Sequence, residues 1–270
     1  MTQSPEARSV IDVAKLTHDY GNGQRSVRAL EDINFSVCEG SFVSIVGPSG
    51  CGKSTLLQIL AGLMAPTQGG VSIDDTPVRS PQPDKIAIVF QDANLLPWKS
   101  AIENVEFPLE IQGLPKSKRA TLAREMLELV GLRDFAAHFP GQLSGGMRQR
   151  VSIARGLAQN PRIILMDEPF GALDEQSRTK MGQELLRIWE KTGKTILLIT
   201  HSITEALFLS DKVLVMSARP GRILEAIDIP FPRPRDLDII GSAEFGATRN
   251  KIWRLLHVDG AAEGNGLEGL

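Results

Sequence analysis

The sequence predicts an α/β fold in which part of the sheet is parallel and buried on both faces. Three observations carry this. Several apolar runs are continuous β-branched or leucine stretches rather than alternating ones: FVSIV (42–46), RIILM (162–166), TILLIT (195–200) and KVLVM (212–216). A strand wetted on one face alternates, whereas one covered by helices on both faces is apolar throughout. Helical patterns separate these runs. From about 92 to 160 the apolar positions fall at helical spacing, as in LAREMLELVGL (122–132), with few strand signals. That stretch reads as a helical lobe inserted between two parts of the α/β core.

In chain order, strands are expected at 10–16, 33–37, 42–46, 71–73, 85–90, 162–166, 195–200, 212–216 and 222–229, each a short run rich in Val, Ile or Leu. Helices are expected after Gly52, Ser117, Ser144, Asp174 and Ser202. The serines at 144 and 202 and Asp174 are residue types that cap helix starts.

The chain has 270 residues, enough for one large domain or a domain with a smaller lobe. Its formal net charge of −2 gives no basis for general binding to nucleic acid or to an anionic membrane. The longest apolar runs are too short to span a bilayer, and the opening MTQSPEARS lacks the apolar core of a secretory signal. Two cysteines, Cys38 and Cys51, are too few for a disulfide framework, so a reduced cytosolic setting is expected.

The most specific stretch is GPSGCGKST (47–55), directly after FVSIV and before the helical run STLLQILAGL. Gly47, Pro48, Ser49, Gly50, Cys51, Gly52, Lys53 and Ser54 fit G-x-x-x-x-G-K-[ST]. The glycines let backbone N–H groups wrap a phosphate, and the helix that follows turns its positive end to the anion. Lys53 reaches the β- and γ-phosphates, and Ser54 offers its hydroxyl to Mg²⁺. A second part lies in IILMDE (163–168), where an apolar run ends in Asp167 and Glu168. A carboxylate at that edge of an open sheet can hold a Mg²⁺ shell, and its neighbour can polarise water. Alone, the pair is equally a surface turn before Pro169. LSGGMRQR (143–150) opens another helix. Ser144 with Gly145 and Gly146 is either an ordinary capped start or a second anion-binding end, which two copies arranged head to tail would use.

At this point the chain resembles the ATP-binding-cassette (ABC) ATPases. LSGGMRQR is similar to their signature, and the family's other marks occur in order from about residue 10 to about 230. The resemblance implies a P-loop NTPase core, a mixed sheet with a parallel centre, an antiparallel β part and an inserted helical subdomain. It implies an ABC domain over 10–240 with the helical subdomain at about 92–160, a flexible N-terminus over 1–9, and a C-terminal helix and disordered tail over 241–270. By the resemblance, Tyr20, in the polar stretch THDYGNGQ, stacks on adenine. Residues 47–55, Thr55 included, form the phosphate loop. Gln91, ending IAIVFQ, serves Mg²⁺ and water. Asp167 holds Mg²⁺ through water, beside Ser54 and Gln91. Glu168 is the general base, and His201 contacts the γ-phosphate. Ser144, Gly145 and Gly146 act on the ATP of a partner copy, and Asp174 lies across that dimer interface or caps the following helix.

The resemblance further implies an ATPase using ATP and Mg²⁺, a homodimer, and work on a separate integral membrane permease at the cytoplasmic face. LLPW (95–98), MSARPGRI (216–223) and FPRPRD (231–236) are similar to subunits of the nitrate, sulfonate and taurine importers, which also use an extracytoplasmic solute-binding protein. Nucleic acid is not an expected partner. DANLLPW (92–98) either forms part of the groove for the permease or packs within the helical lobe. The competing readings are a soluble, non-transport ABC ATPase and an importer subunit for another small organic solute. A soluble ABC ATPase usually carries a coiled-coil insert or two cassettes in one chain, and neither is seen here. No long regulatory domain is expected after 230. A thiol in the phosphate loop, at Cys51, predicts alkylation sensitivity with protection by ATP.

Overall fold

The computed structural model describes residues 8–21, 26–171 and 173–258. The chain divides into two compact units, residues 1–81 with 197–270, and residues 82–196.

The first unit opens with two long strands, β1 (Ser9–Tyr20) and β2 (Val27–Cys38), which pair antiparallel. β4 (Gln68–Ile73) pairs with the other edge of β1, and β5 (Thr76–Pro77) completes an antiparallel sheet of order β2-β1-β4-β5. Separately, β3 (Phe42–Val46) runs parallel to β9 (Lys212–Met216), and β10 (Ile223–Asp228) is antiparallel on the far side of β9. On its other side β3 neighbours β8 (Thr195–Thr200). Every residue of β3 and of β8 is buried, which is why both read as unbroken apolar runs. Three helices belong here: α1 (Lys53–Leu60), α6 (Ile203–Leu209) and α7 (Ala243–Val258).

The second unit carries a parallel pair, β6 (Ile86–Val89) and β7 (Ile163–Asp167). Between them lie α2 (Ala101–Ile111), α3 (Lys116–Leu129) and α4 (Gly145–Ala158), packed on one another; α5 (Glu175–Thr192) follows β7. The fold is the expected P-loop type: parallel strands, an antiparallel sheet and helices.

Several details differ from the sequence expectations. α2 lies within the expected helical lobe, but no helix start was expected between Gly52 and Ser117; Pro108 sits inside it. Its start is nevertheless a full capping box, in which Ser100 accepts from the Glu103 amide and Glu103 accepts from the Ser100 amide. α3 begins at Lys116, straight after Pro115, and not after Ser117. Tyr20 closes a strand, paired with Val27, and is not a loop residue. β6 ends at Val89, two residues short of Gln91. Residues 1–7 of the expected N-terminus and the tail 259–270 lie outside the described residues. Among the described residues no helix is long and apolar enough to cross a membrane.

Candidate functional site

In the first unit, β3 drives straight into the loop 47–52, and α1 begins at Lys53. The turn into α1 is made by Gly52 at φ 101°, and a Cβ there would come 2.7 Å from Leu30 Cδ2 and 2.9 Å from the Ala29 carbonyl. Only glycine fits on both counts. Lys53 is 6% exposed, and its ammonium donates to the carbonyls of Gly47 and Pro48, each at 2.9 Å. The positive charge is therefore held inside the curl of the loop. Ser49, Gly50 and Ser54 are exposed around it. A cation in a loop of exposed backbone ahead of a helix start is an arrangement that binds phosphate.

Tyr20 stands beside this loop. Its hydroxyl pairs with Thr55 Oγ1 at 3.0 Å, and the His18 ring meets it edge-on at 4.7 Å. His201 lies immediately after β8 and is exposed, while Thr200 before it is buried. One contact the sequence reading missed comes from MSARPGRI: Arg219 donates to the Gly50 carbonyl at 3.3 Å.

Cys51 is 1% exposed, and burial pushes its thiol above the ordinary range, against the pull of nearby Lys53. A buried thiol with a raised pKa is a poor nucleophile. The expected alkylation sensitivity therefore loses its basis: the side chain is buried, with its Sγ 3.9 Å from the Lys53 ammonium.

In the second unit, β7 ends at Asp167, and Glu168 follows at φ 44°. A left-handed conformation costs a non-glycine residue about 1 kcal/mol or more, and a following proline disfavours it further. The strain bends the chain sharply, so that the Gly171 amide donates back to the Glu168 carbonyl at 3.0 Å. A Cβ on Gly171 would lie 3.1 Å from Gln91 Nε2 and 3.3 Å from that carbonyl. The fold thus brings the Gln91 carboxamide against the turn that carries Glu168.

Ser144 is the N-cap of α4 and accepts from the Met147 amide at 3.2 Å. Ser144 and Gly145 are exposed at this helix end. A Cβ on Gly145 would lie 3.5 Å from Leu173, so the signature stretch and the turn before α5 are neighbours. Asp174 caps α5, accepting from the Ser177 amide at 2.9 Å. Its hydrogen bonds from Ser177 hold the carboxyl below the usual carboxylate range.

The segment after Gln91 is irregular but pinned. Arg155 donates to the carbonyls of Ala93 and Asn94, each at 2.8 Å. Asn104, fully buried, accepts from the Leu96 amide and donates to the carbonyls of Leu96, Lys99 and Ser100. Trp98 stays 71% exposed. Neither anchor stood out in the sequence, because a lone Asn or Arg on a helix carries no local pattern.

Residues 30–171 match the family model described as ABC transporter. The chain is 50% identical over 235 residues to an uncharacterized ABC transporter ATP-binding protein of Methanocaldococcus jannaschii, covering 87% of this chain and 86% of that one. It is 48% identical over 238 residues to the taurine import ATP-binding protein TauB of Rhizobium johnstonii, covering 86% and 90%. Among solved structures it is similar to a dimeric ATP-binding cassette in a post-hydrolysis state bound to ADP and Pi, with TM-score 0.72 and 38% identity, covering 82% of this chain and 100% of that one. It is also similar to cbiO1 of Clostridium perfringens, described as part of the ABC transporter complex cbiONQ, with TM-score 0.76 and 27% identity, covering 94% and 99%.

Proposed function

Because this chain belongs to the ABC transporter family and is an ATP-hydrolysing cassette, we propose that it is the ATPase subunit of an importer, energising uptake of a small solute of the nitrate, sulfonate or taurine kind through a separate permease. The import assignment is supported by the relative named for taurine import. The chemistry is supported above all by the Lys53 ammonium held inside the glycine loop.

In this reading residues 47–55 take the ATP phosphates, and Tyr20 stacks on adenine. Ser54, Gln91 and Asp167, Asp167 through water, would hold Mg²⁺. A hydroxyl, a carboxamide and a carboxylate form the all-oxygen donor set that this ion prefers. The ion would neutralise charge between the β- and γ-phosphates. Glu168 takes a proton from the attacking water, and the bend at φ 44° fixes where its carboxylate leaves the chain. His201 contacts the γ-phosphate. Two copies pair head to tail, each offering Ser144, Gly145 and Gly146 to the other's ATP, with Asp174 at their interface. The work is positioning and charge stabilisation. The pair sits on the cytoplasmic face of the membrane, and a solute-binding protein on the other face delivers the cargo.

The test is a tagged Glu168→Gln chain, which should bind ATP, stay closed as a dimer and lose turnover. Expressed in its native host and recovered from gently solubilised membranes with ATP present, it should bring down a polytopic permease, identified by mass spectrometry. Recovery of ribosomes or DNA-repair proteins with no membrane protein would refute the transport reading. Wild-type turnover in the mutant would refute Glu168 as the base.

A further inference from the structure

The segment FPRPRD (231–236) takes no part in the chemistry above, yet it buries a cation. Arg235 is 6% exposed. Its Nη1 donates to the carbonyls of Leu207, Phe208 and Ser210 at 3.1, 3.0 and 2.7 Å, and its Nε and Nη2 donate to the Phe231 carbonyl. Arg233 donates to the Leu209 carbonyl at 2.6 Å and through Nε to Asp211 at 2.9 Å. Between them the two arginines take all four carbonyls from Leu207 to Ser210, which are those a helix end leaves without partners. The Phe231 ring lies 5.9 Å from the Arg235 guanidinium and stacks on Phe245 of α7 at 5.5 Å, fixing the segment in place.

Burial pushes the Arg235 guanidinium down to about 10, with the charge of Arg233 adding to the effect and that of Asp211 opposing it. A buried cation is a costly way to finish a seven-residue helix, since water or a C-cap glycine would serve. What that helix carries is at its other end. His201 directly precedes Ser202, the N-cap of α6. Ser202 donates from its amide to Thr200 Oγ1 at 3.0 Å and accepts from the Glu205 amide at 3.3 Å, and Thr200 donates to the Glu205 carboxylate. Asp211, held by Arg233, also accepts from the amide of Phe42, where β3 sets out for the phosphate loop. A helix of this length spans about 10 Å, so a displacement at one end reaches the other undiminished.

We propose that Arg235, seconded by Arg233, is a positioning residue for ATP turnover, setting where α6 sits and thereby where the His201 ring is held. The inference rests on the reading of His201 as the γ-phosphate contact. The test uses Arg235→Lys in the full chain, with its fold checked by thermal unfolding. Steady-state ATPase activity and the ring resonances of the four histidines are measured together, and His201→Ala assigns the His201 signal. The expected result is kcat lower by about tenfold, the loss of one modest transition-state interaction, with KM for ATP little changed. The His201 resonance should move while those of His138 and His257 stay. An unmoved His201 resonance, an unchanged kcat or a loss confined to KM overturns the proposal. If His201→Ala itself keeps full kcat, it is the role of His201 that fails, and the resonance shift alone then decides whether the arginines hold the ring. Should Arg235→Lys not fold, Arg233→Lys, which leaves the five Arg235 bonds in place, is read by the same criteria.

Discussion

Asn104 gives the most direct measure of what holds the segment after Gln91. Its side chain is fully buried and makes four hydrogen bonds: one accepted from the Leu96 amide at 2.8 Å, and three donated, to the carbonyls of Leu96, Lys99 and Ser100 at 3.2, 2.9 and 3.0 Å. Asn104→Ala removes all four. At about 0.5–1.5 kcal/mol net for each bond, and with part-buried groups regaining some water, the loss is about 3 kcal/mol. At about 2–4 °C per kcal/mol for a chain of this size, the Tm should fall by about 6–12 °C. The assay is thermal unfolding of the full chain, followed by circular dichroism. Asn104→Asp sharpens it, because the carboxylate keeps the acceptor but faces three carbonyls. At neutral pH that variant should be less stable than the alanine. Burial against carbonyls raises its folded-state pKa above the unfolded value, so the folded state takes up the proton first. The deficit should therefore shrink as pH falls. A Tm for Asn104→Ala within about 2 °C of wild type, or an aspartate variant no worse than the alanine, would show that these bonds do not hold the segment.

Further outcomes follow from the site. Cys51, buried and with a raised pKa, should react with iodoacetamide far more slowly than Cys38, and at the same rate with and without ATP; labelling quantified by mass spectrometry checks this, and rapid ATP-protected labelling would contradict the placement. Asp174 has a depressed folded-state pKa, so its contribution to stability is full above the unfolded carboxylate pKa and is lost as pH falls through the folded one. Asp174→Asn should accordingly flatten the acid limb of the Tm-against-pH curve, and an acid limb identical to wild type would refute the cap's share in it.

Much of the fold was legible because burial on both faces leaves a mark on every residue of a strand. β3, β7, β8 and β9 read as continuous apolar runs and fold as strands within a residue of the expected bounds. The start of α2 was not among the expected helix starts, although the box from Ser100 to Glu103 was present to be read. The glycine loop was legible because each position is fixed by a separate need: the turn at Gly52, the ammonium at Lys53 and the helix start. The supports of the site were not legible. Arg155, Asn104, Arg219 and Arg235 all act by donating to backbone carbonyls distant in the chain or across a turn. Any arginine or asparagine is competent to do that, and which of them does so is decided by tertiary approach alone.

Ser144 shows that capping and chemistry need not compete. Its Oγ accepts from the Met147 amide, which uses a lone pair; that bond does not consume the O–H donor, which is left for an anion at the exposed helix end. The two roles can be separated by substitution. Ser144→Ala loses the cap and should cost about 1 kcal/mol. Ser144→Asp keeps it, since aspartate caps as well as serine and its charge favours a helix start. Yet aspartate replaces a donor with a negative charge, where the proposed reading places the γ-phosphate of a second copy. The aspartate variant should therefore unfold no earlier than wild type and hydrolyse almost no ATP, while the alanine variant is less stable and keeps part of its turnover. Both are measured by thermal unfolding and phosphate release on the same preparation. If Ser144→Asp hydrolyses ATP at the wild-type rate, the serine is a cap and nothing more, and the head-to-tail pairing loses the residue on which it most depends.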